Sequence, residues 1–279
     1  MRINVNGRVT NTRLNKANAL DPLCEAVINS IDAIEEFHVQ PIGRIHITIR
    51  RDPPLSLSGM AASETLAGNI YAFEIEDNGP GFTNENYNSF NEADTRYKAG
   101  RGGKGVGRFL WLKVFERAEI DSIFREGDTF RRRRFTFSLA SDDGITGHQL
   151  NDEPGADRER TIVTLFTLRE HFRSGIPQRI HTIAERLVEH CLEYFVLDKM
   201  PQIELRDQDT DEPIYLQALY RDMVARTEPQ TLIINDHSFQ LTHFMLHARA
   251  GFGHRFSYCA HRRVVKSVTI GNKIPHLPP

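Results

Sequence analysis

The stretch GRGGKGVGRFLWL, Gly100–Leu112, decides how the rest of the sequence is interpreted. It places five glycines within eight residues and then becomes apolar, which predicts a loop that leads into a buried helix. A glycine-rich loop before a helix can wrap an anion, because backbone N–H groups and the positive end of the helix dipole face the ligand. A plain surface loop explains the same glycines. The stretch alone therefore leaves both a phosphate loop and a surface loop open.

The composition is that of an ordinary globular protein. Of the 279 residues, 39% are hydrophobic and 26% are charged, and the formal net charge is −2. The length fits one large or two ordinary domains, and the near-neutral charge argues against a surface that is basic throughout. No run of apolar residues is long enough to predict a membrane span, so we expect no membrane partner.

The cysteines and histidines argue against two classes of site. The three cysteines are far apart and follow no CxxC pattern, which is typical of reduced thiols; they are Cys24, Cys191 and Cys259. The twelve histidines form no HExxH or similar pair, so the sequence predicts no zinc site. The N-terminus has no apolar leader, and we therefore expect a cytoplasmic protein.

Hydrophobic periodicity predicts the elements of the first half of the chain. A helix that ends near Phe37 carries apolar residues at helical spacing, and Pro22 fits only its first turn. A short apolar helix is predicted at 109–117. Alternating apolar residues predict strands at 43–50, 69–77 and 160–168 and a hairpin at 118–140 that turns at 126–128.

The pattern changes in the second half of the chain. Pro177 opens a long amphipathic helix that we predict to end near Leu197. A helix followed by a new set of strands suggests a second domain. We therefore predict a domain at 1–172 and a smaller α+β domain at 173–279 that is incomplete at its C-terminus. The strands predicted in the second domain are 202–207, 212–219, 230–235, 237–248 and 254–265.

Three polar residues share one face of the first helix. Glu25, Asn29 and Asp32 stand at i, i+4 and i+7, away from the apolar stripe. A solvated helix face explains the two carboxylates but explains less well the asparagine, which is a poor helix former. A metal–phosphate site would use the amide oxygen for Mg²⁺ and a carboxylate to position water. Both interpretations are open at this point.

The strand at 69–77 ends in the segment EIEDNGPGF, 74–82, which holds Asp77, Gly79 and Gly81. Every residue type of a tight turn is present, so a plain turn is one interpretation. In the other, the Asp77 carboxylate accepts a hydrogen bond from the exocyclic amino group of a purine. The two glycines would then leave room for the flat ring against the backbone.

The order and spacing of these segments resemble the GHKL ATPases, which include gyrase B-type subunits, heat-shock chaperones, sensor histidine kinases and MutL proteins. Four motifs carry the resemblance over residues 17–168: the helix with ExxxNSxDA, the strand ending in DNGPGF, the loop GGKGVGRF and the strand RTIVTL. The resemblance implies an α+β fold: a Bergerat-type ATP-binding sandwich with a mixed, largely antiparallel sheet and helices on one face. After residue 168 the layout is similar to the transducer domain of MutL-like and gyrase-like members.

The resemblance also implies roles for the polar residues. Glu25 would be the general base that activates water, and Asn29 would hold Mg²⁺. Asp77 would bind the adenine amino group, whereas Asp32 would support the adenine side or the fold. Thr161 would support the adenine end through its hydroxyl or a water.

The glycines would shape the two ends of the nucleotide site. Gly79 and Gly81 would shape the adenine pocket. The glycine loop would surround the phosphates, with Lys104 adding positive charge or facing solvent. The loop residues assigned to the cofactor are Gly103, Lys104, Gly105, Val106 and Gly107.

The sequence departs from the family pattern at several places. Arg160 stands where the last motif normally begins with glycine, which puts the presentation of Thr161 in doubt. The lid between Gly81 and Gly103 is short, and the segment 52–69 looks like an insertion of unknown purpose. No lysine can be assigned to the γ-phosphate, since Lys266 and Lys273 are the only lysines in the last 80 residues.

The resemblance implies Mg²⁺-dependent ATP binding and hydrolysis. We expect the cycle to drive a conformational switch or a nucleotide-dependent homodimerisation, coupled to a C-terminal module or client protein. A non-hydrolysing nucleotide-sensing scaffold is the alternative. A histidine kinase is less favoured, because no histidine in the chain precedes Asp or Glu.

Nucleic acid is a candidate partner because relatives act on DNA. Four arginines, Arg131–Arg134, stand in a row, but only alternate side chains of a strand share a face. The run therefore favours a solvated or lid-facing edge over a track for DNA.

Overall fold

The computed structural model of the protein describes most of the chain. The described residues are 4–37, 43–53, 68–91, 107–196, 200–210, 212–226, 228–246, 255–260 and 263–269. Within these ranges, no helix combines the length and the apolar character that crossing a membrane requires. Most of the glycine loop and of the 52–69 insertion lies outside the described residues.

The N-terminal helices are each held by a polar residue at the start. Helix α1, Val5–Asn11, begins after Asn4, whose side chain accepts a hydrogen bond from the N–H of Gly7 at 2.8 Å. Asn15 caps a short 3-10 helix, Lys16–Asn18, in the same manner. Helix α2, Asp21–Phe37, then follows as predicted, with its apolar stripe buried.

Eight strands form one sheet in the order β5-β4-β3-β6-β2-β1-β7-β8. Neighbouring strands pair antiparallel except β1 and β7, which are parallel. The mixed, largely antiparallel sheet of an α+β fold is therefore confirmed. The strands are β1 Arg44–Arg51, β2 Ile70–Asp77, β3 Phe115–Glu126, β4 Thr129–Ser138, β5 Ile145–Asp152, β6 Arg160–Leu168, β7 Gln202–Asp207 and β8 Ile214–Tyr215.

One face of the sheet is apolar and carries the helices. Along β1, Ile45, Ile47 and Ile49 are fully buried on the face that α2 covers, while the alternate residues point the other way. The opposite face is polar, with an ion pair of 2.9 Å between Arg50 and Glu74. The remaining helices are α3 Asn84–Asn91, α4 Gly107–Val114, α5 Glu170–Arg173, α6 Ile180–His190, α7 Leu192–Val196 and α8 Leu216–Met223.

Three two-stranded ribbons make up the described part of the chain after α8. Strand β9 pairs with β12, β10 with β11, and β13 with β14, each antiparallel. Their bounds are β9 Val224–Arg226, β10 Gln230–Ile234, β11 His237–Leu241, β12 Phe244–Leu246, β13 Arg255–Ala260 and β14 Arg263–Thr269.

Several sequence predictions differ from the structure. The helix predicted at 109–117 ends at Val114, because the chain enters strand β3 directly at Phe115. The strand predicted at 212–219 was wrong from Leu216 onward, where the chain forms helix α8. The Leu, Gln and Ala residues of α8 are strong helix formers. The long helix predicted from Pro177 is divided into α6 and α7, and strand β5 was not predicted.

A buried ion pair links the neighbouring strands β1 and β7. Arg51 and Asp207 are each 5% exposed, and the guanidinium Nε of Arg51 lies 2.8 Å from Oδ2 of Asp207. The guanidinium also donates to the carbonyl oxygens of Gly68 at 2.9 Å and Gln178 at 2.6 Å. Such extra hydrogen bonds offset the cost of removing two charges from water. The pair therefore joins four distant segments of the chain.

The position of β7 and β8 in the sheet concerns the predicted division of the chain into two domains. Strands β7 and β8 belong to the sheet, and the buried core is continuous from Val5 to Leu216. The packing thus continues across residue 173, where we predicted the second domain to begin. The division into 1–172 and 173–279 stays a prediction about independent units, and the sheet itself includes residues up to Tyr215.

Gly81 is required by the path of the chain after β2. Its φ of +79° is in the left-handed region, and a Cβ there would lie 2.7 Å from Oγ of Ser122 and 2.9 Å from the carbonyl oxygen of Ile123. Gly127, in the turn between β3 and β4, has a similar φ of +63°, but nothing lies within 4 Å of a Cβ there. A residue with a Cβ would be strained at both positions, and the two positions differ in the space available to it.

We expect Gly81→Ala to destabilise the protein more than Gly127→Ala. The control variant should lose about 1–2 kcal/mol from the left-handed backbone alone. The Gly81 variant should lose roughly 1–3 kcal/mol more, because its methyl group overlaps β3. Urea unfolding followed by the fluorescence of Trp111, the only tryptophan, measures both. Equal losses would show that β3 moves away at no cost.

Candidate functional site

Strand β2 ends in a buried carboxylate that lies against helix α2. Asp77 is 5% exposed and accepts hydrogen bonds at both oxygens. The hydroxyl of Ser30 on α2 donates to Oδ2 at 2.8 Å, and the backbone N–H of Gly79 donates to Oδ1 at 2.9 Å. The second bond is an Asx turn, in which the side chain holds its own backbone two residues on. Asp77 is therefore held in one orientation from two sides.

Burial changes the acidity of Asp77. Loss of hydration raises the pKa of its carboxyl to about 6, while the hydrogen bonds from Ser30 and Gly79 lower the pKa and the charge of Glu76 raises it. At neutral pH the group is mostly ionised. A negatively charged acceptor thus lies within the protein, where electrostatic interactions are stronger than in water.

Gly79 lets the chain pass close to α2. A Cβ at this position would lie 2.9 Å from Oδ1 of Asp77 and 3.4 Å from the Cβ of Ala33. A side chain would therefore disturb the Asx turn and the contact with the helix. Gly79 and Asp77 form one local unit at the end of β2, next to the middle of α2.

Thr161 lies beside Asp77 across the sheet. Thr161 on β6 is directly opposite Asp77 on β2 and opposite Ser122 on β3, so the three side chains share the helix-facing side. The hydroxyls of Ser122 and Thr161 are 3.0 Å apart, and the N–H of Phe82 donates to Ser122 at 2.8 Å. A row of buried polar groups therefore crosses three strands.

Arg160 does not share the side of the sheet on which Thr161 lies. Successive side chains of a strand point to opposite faces, so Arg160 is directed away from Asp77 and α2. The departure from the family pattern at this position therefore leaves the helix-facing row unchanged.

Glu25 lies where the glycine loop meets α4. Gly107 is the first residue of α4, and a Cβ there would lie 2.3 Å from Oε2 of Glu25. A side chain there would require Glu25 to change its rotamer, so the carboxylate and the start of α4 lie directly against each other. Asn29 follows Glu25 by one helical turn on the same face, and both side chains are half-buried.

Asp32 lies further along α2. It is buried, and the hydroxyl of Tyr194 on α7 donates to its Oδ1 at 3.4 Å. The structure thus brings Asp32 into contact with a helix outside the predicted ATP-binding segment. Its role toward a nucleotide stays a prediction.

The rest of the glycine loop lies outside the described residues, namely Gly103, Lys104, Gly105 and Val106. No group of three or more His, Cys, Asp or Glu residues that could hold a metal occurs within the described ranges. Asn29 beside Glu25 suits a site for Mg²⁺ bound together with phosphates. In such a site Mg²⁺ has few protein ligands and takes its other oxygens from phosphates and water.

Ser30 and Ser122 were not predicted to belong to the site. Helical spacing places Ser30 one residue after Asn29, but a helical serine can also face solvent or bond the carbonyl oxygen four residues earlier, so its partner Asp77 is visible only in the structure. Ser122 stands between apolar residues on one face of β3. Its pairing with Thr161 depends on the strand order, which no local pattern predicts.

Arg133 holds the segment after Gly81 against β4. Its guanidinium is buried and donates to the carbonyl oxygens of Phe82 at 2.8 Å and Thr83 at 2.7 Å. It also lies 4.5 Å from the ring centre of Tyr87 on α3. Burial lowers the pKa of Arg133 from its ordinary value. This arginine therefore holds residues 82–83 and helix α3 against β4.

The other three arginines of the run are paired with carboxylates. Arg131 lies 2.8 Å from Glu126, and Arg132 and Arg134 lie 2.6 Å and 3.2 Å from Asp121. Arg131–Arg134 therefore do not form a row of unneutralised charges for a nucleic-acid backbone. A solvated or lid-facing edge at this run stays a prediction.

The buried Asp77 should give the protein a characteristic pH dependence. Because its folded pKa is about 6 and that of an unfolded chain is near 3.9, its contribution to stability is full below pH 4 and is lost as pH rises through 6. Relative to Asp77→Asn, the wild type should lose roughly 2–3 kcal/mol of unfolding free energy between pH 4 and pH 7.5. Urea unfolding of both proteins at these two pH values measures the difference. Parallel pH dependences would contradict the raised pKa.

Comparison with known proteins finds similarity at the level of solved structures. No known protein family and no curated protein matches the sequence. Among solved structures, the chain is similar to the 43K ATPase domain of Thermus thermophilus gyrase B, which was crystallised in complex with an aminocoumarin. The sequence identity is 16% and the TM-score is 0.46, with 82% of this chain and 57% of that chain covered. The chain thus spans little more than half of the length of that structure.

Proposed function

We propose that the protein binds and hydrolyses ATP with Mg²⁺, and that the cycle drives a conformational switch. The observation that carries the proposal is the buried, doubly hydrogen-bonded carboxylate of Asp77, which lies in a polar row between the sheet and α2. The four sequence motifs support it, since they predict this carboxylate, the glycines and the polar helix face in one order.

The Asp77 end suits the adenine base. An ionised carboxylate can only accept hydrogen bonds, and it therefore selects a donor such as an exocyclic amino group. Ser30 and Gly79 fix its orientation before the base arrives, which reduces the ordering cost on binding. Thr161 adds a hydroxyl beside it. Because Gly79 has no side chain, a flat ring could lie directly against the backbone at this position.

The Glu25 end suits the phosphates. Glu25 precedes Ser30 by five residues, which separates the two along α2 by about 7.5 Å, so that an extended nucleotide can reach both ends. Bound Mg²⁺ and ATP would supply the metal charge and the electrophilic phosphorus. The amide oxygen of Asn29 would hold the metal, and the Glu25 carboxylate would take a proton from water at the entry to α4.

The contact between Glu25 and Gly107 supports the proposed conformational switch. Because α4 begins against the catalytic carboxylate, a change in the glycine loop would be passed to α4 and to the neighbouring α3. Nucleotide-dependent homodimerisation, a coupled C-terminal module or client, and a cytoplasmic location are proposed from the family resemblance alone. Arg160, which departs from the family pattern, lies on the other face of β6 from Thr161.

Asp77→Asn should abolish ATP binding, because the amide of asparagine presents a donor to the amino donor of adenine. Glu76→Gln is the matched control: it removes the neighbouring charge on the opposite face of β2 and should bind ATP as the wild type does. Calorimetric titration with a non-hydrolysable analogue and Mg²⁺ measures both. Wild-type affinity in Asp77→Asn would refute the base pocket at Asp77.

The phosphate end is tested by the pair Glu25→Ala and Asn29→Ala within the same series. Glu25→Ala should still bind ATP but hydrolyse it roughly 10²–10⁴-fold more slowly, the usual contribution of a positioned general base. Asn29→Ala should also lose the Mg²⁺ dependence of binding. Phosphate release at saturating ATP gives the rates. Unchanged turnover in Glu25→Ala would refute Glu25 as the general base, and binding without any turnover in the wild type would favour a nucleotide-sensing scaffold.

A further inference from the structure

The charges of the chain are divided unevenly along its length. All 37 acidic residues stand at or before Asp236, and the segment 237–279 contains six arginines and lysines and no Asp or Glu. Because the formal net charge of the whole chain is −2, this acid-free segment carries +6 and residues 1–236 carry −8. Its basic residues are Arg249, Arg255, Arg262, Arg263, Lys266 and Lys273. An asymmetry of this kind is typical of a segment that contacts a polyanion.

The ribbon of β13 and β14 belongs to the acid-free segment and presents aromatic rings to solvent. Phe256 and Tyr258 are 40% and 54% exposed, and their ring centres lie 4.8 Å apart. The two residues are two positions apart on β13, so they share one face of the ribbon. Among the described residues five Phe and Tyr side chains are exposed, and three of these, including Phe239, lie in the acid-free segment. Exposed rings are therefore concentrated where carboxylates are absent.

The register of the ribbon places basic positions beside the two rings. Lys266 on β14 is the partner of Tyr258 across the ribbon. Arg255 comes directly before Phe256 on β13, and Arg263 is the first residue of β14. Aromatic and basic positions thus alternate within two short strands.

Packing within the ribbon explains the aromatic pair but not the charge. Aromatic residues stabilise paired strands, so a hairpin can favour Phe256 and Tyr258 for its own stability. The strands of the main sheet, by contrast, carry charges of both signs, as in the ion pairs of Arg50 with Glu74 and of Arg132 with Asp121. A segment without any carboxylate has no such internal neutralisation. A polyanionic partner explains both features, because it would neutralise the cations and a carboxylate would repel it.

We propose that the ribbon of β13 and β14 binds a single-stranded nucleic acid. Bases would stack on Phe256 and Tyr258, and phosphates would contact the basic residues of the acid-free segment. Proteins that bind single strands without sequence preference combine these two elements, cations along the backbone and aromatic rings for the bases. A duplex fits less well, because its bases are paired and stacked on each other and cannot reach the rings. The proposal does not rest on the nucleotide site between α2 and β2.

Fluorescence anisotropy of a labelled oligothymidylate of about 20 nucleotides, titrated with the full chain, tests the stacking. Thymine has no exocyclic amino group, so the base pocket proposed at Asp77 does not select this probe. Phe256→Ala and Tyr258→Ala should each weaken binding at least about fivefold, as expected for the loss of one stacked base. Phe256→Tyr and Tyr258→Phe retain a ring and should bind as the wild type does. Tyr215→Ala removes a ring that is 52% exposed outside the acid-free segment, and this control should leave the affinity unchanged.

The salt dependence of the same titration tests the charge. Lys266→Gln should weaken binding and lower the slope of log affinity against log salt concentration by about 0.7, the value for one phosphate contact on a single strand. The two alanine variants should leave this slope unchanged, because they remove no charge. Stacking and phosphate contacts are thereby measured separately.

Several outcomes would overturn the proposal. No binding at low salt, or wild-type affinity in both alanine variants, would remove the stacking site. Equal affinity for a duplex of the same length would reduce the interaction to attraction between opposite charges. Phosphatidylserine vesicles that displace the oligonucleotide, and bind less well to the alanine variants, would assign the ribbon to an anionic membrane surface instead. Because the readout is direct binding, the result does not depend on whether the protein hydrolyses ATP.

Discussion

The hydrogen bond from Ser30 to Asp77 is the constraint on which the arrangement of the site depends. A buried carboxylate is costly unless donors surround it, so α2 must present Ser30 at the end of β2. Together with the buried apolar stripe of α2, this contact fixes where the helix lies along the sheet. Because a helix is rigid, Glu25 and Asn29 are then carried to a fixed place near the start of α4. One hydrogen bond thus relates both ends of the site.

Local patterns predicted those elements whose faces differ clearly in polarity. Helix α2 and strands β1, β2 and β6 have strict apolar spacing, and the hairpin of β3 and β4 has its turn at Gly127. Strand β5 was missed because most of its side chains are polar and exposed. The place of β7 beside β1 was also missed, since its partner lies about 150 residues earlier and parallel pairing leaves no local signal.

The candidate site could be predicted where it depends on helical spacing and only partly where it depends on the sheet. The row of Glu25 and Asn29 follows directly from the period of a helix. The contacts of Thr161 with Ser122 depend on the strand order, which is a property of the whole chain. Gly81 was assigned to a ligand pocket, yet its close approach to β3 already accounts for a glycine there. The sequence thus indicated important glycines without distinguishing steric from ligand-binding reasons.

The ion pair of Arg51 and Asp207 has a consequence for biosynthesis. The two residues are 156 positions apart, so the ribosome requires on the order of ten seconds or more to translate the intervening segment. During this time β1 lacks its parallel neighbour and has an exposed edge, and Arg51 lacks its anion. An incomplete chain is therefore a target for chaperones and proteases. Any fragment made for study has to extend beyond β7, since a shorter one would keep that edge permanently.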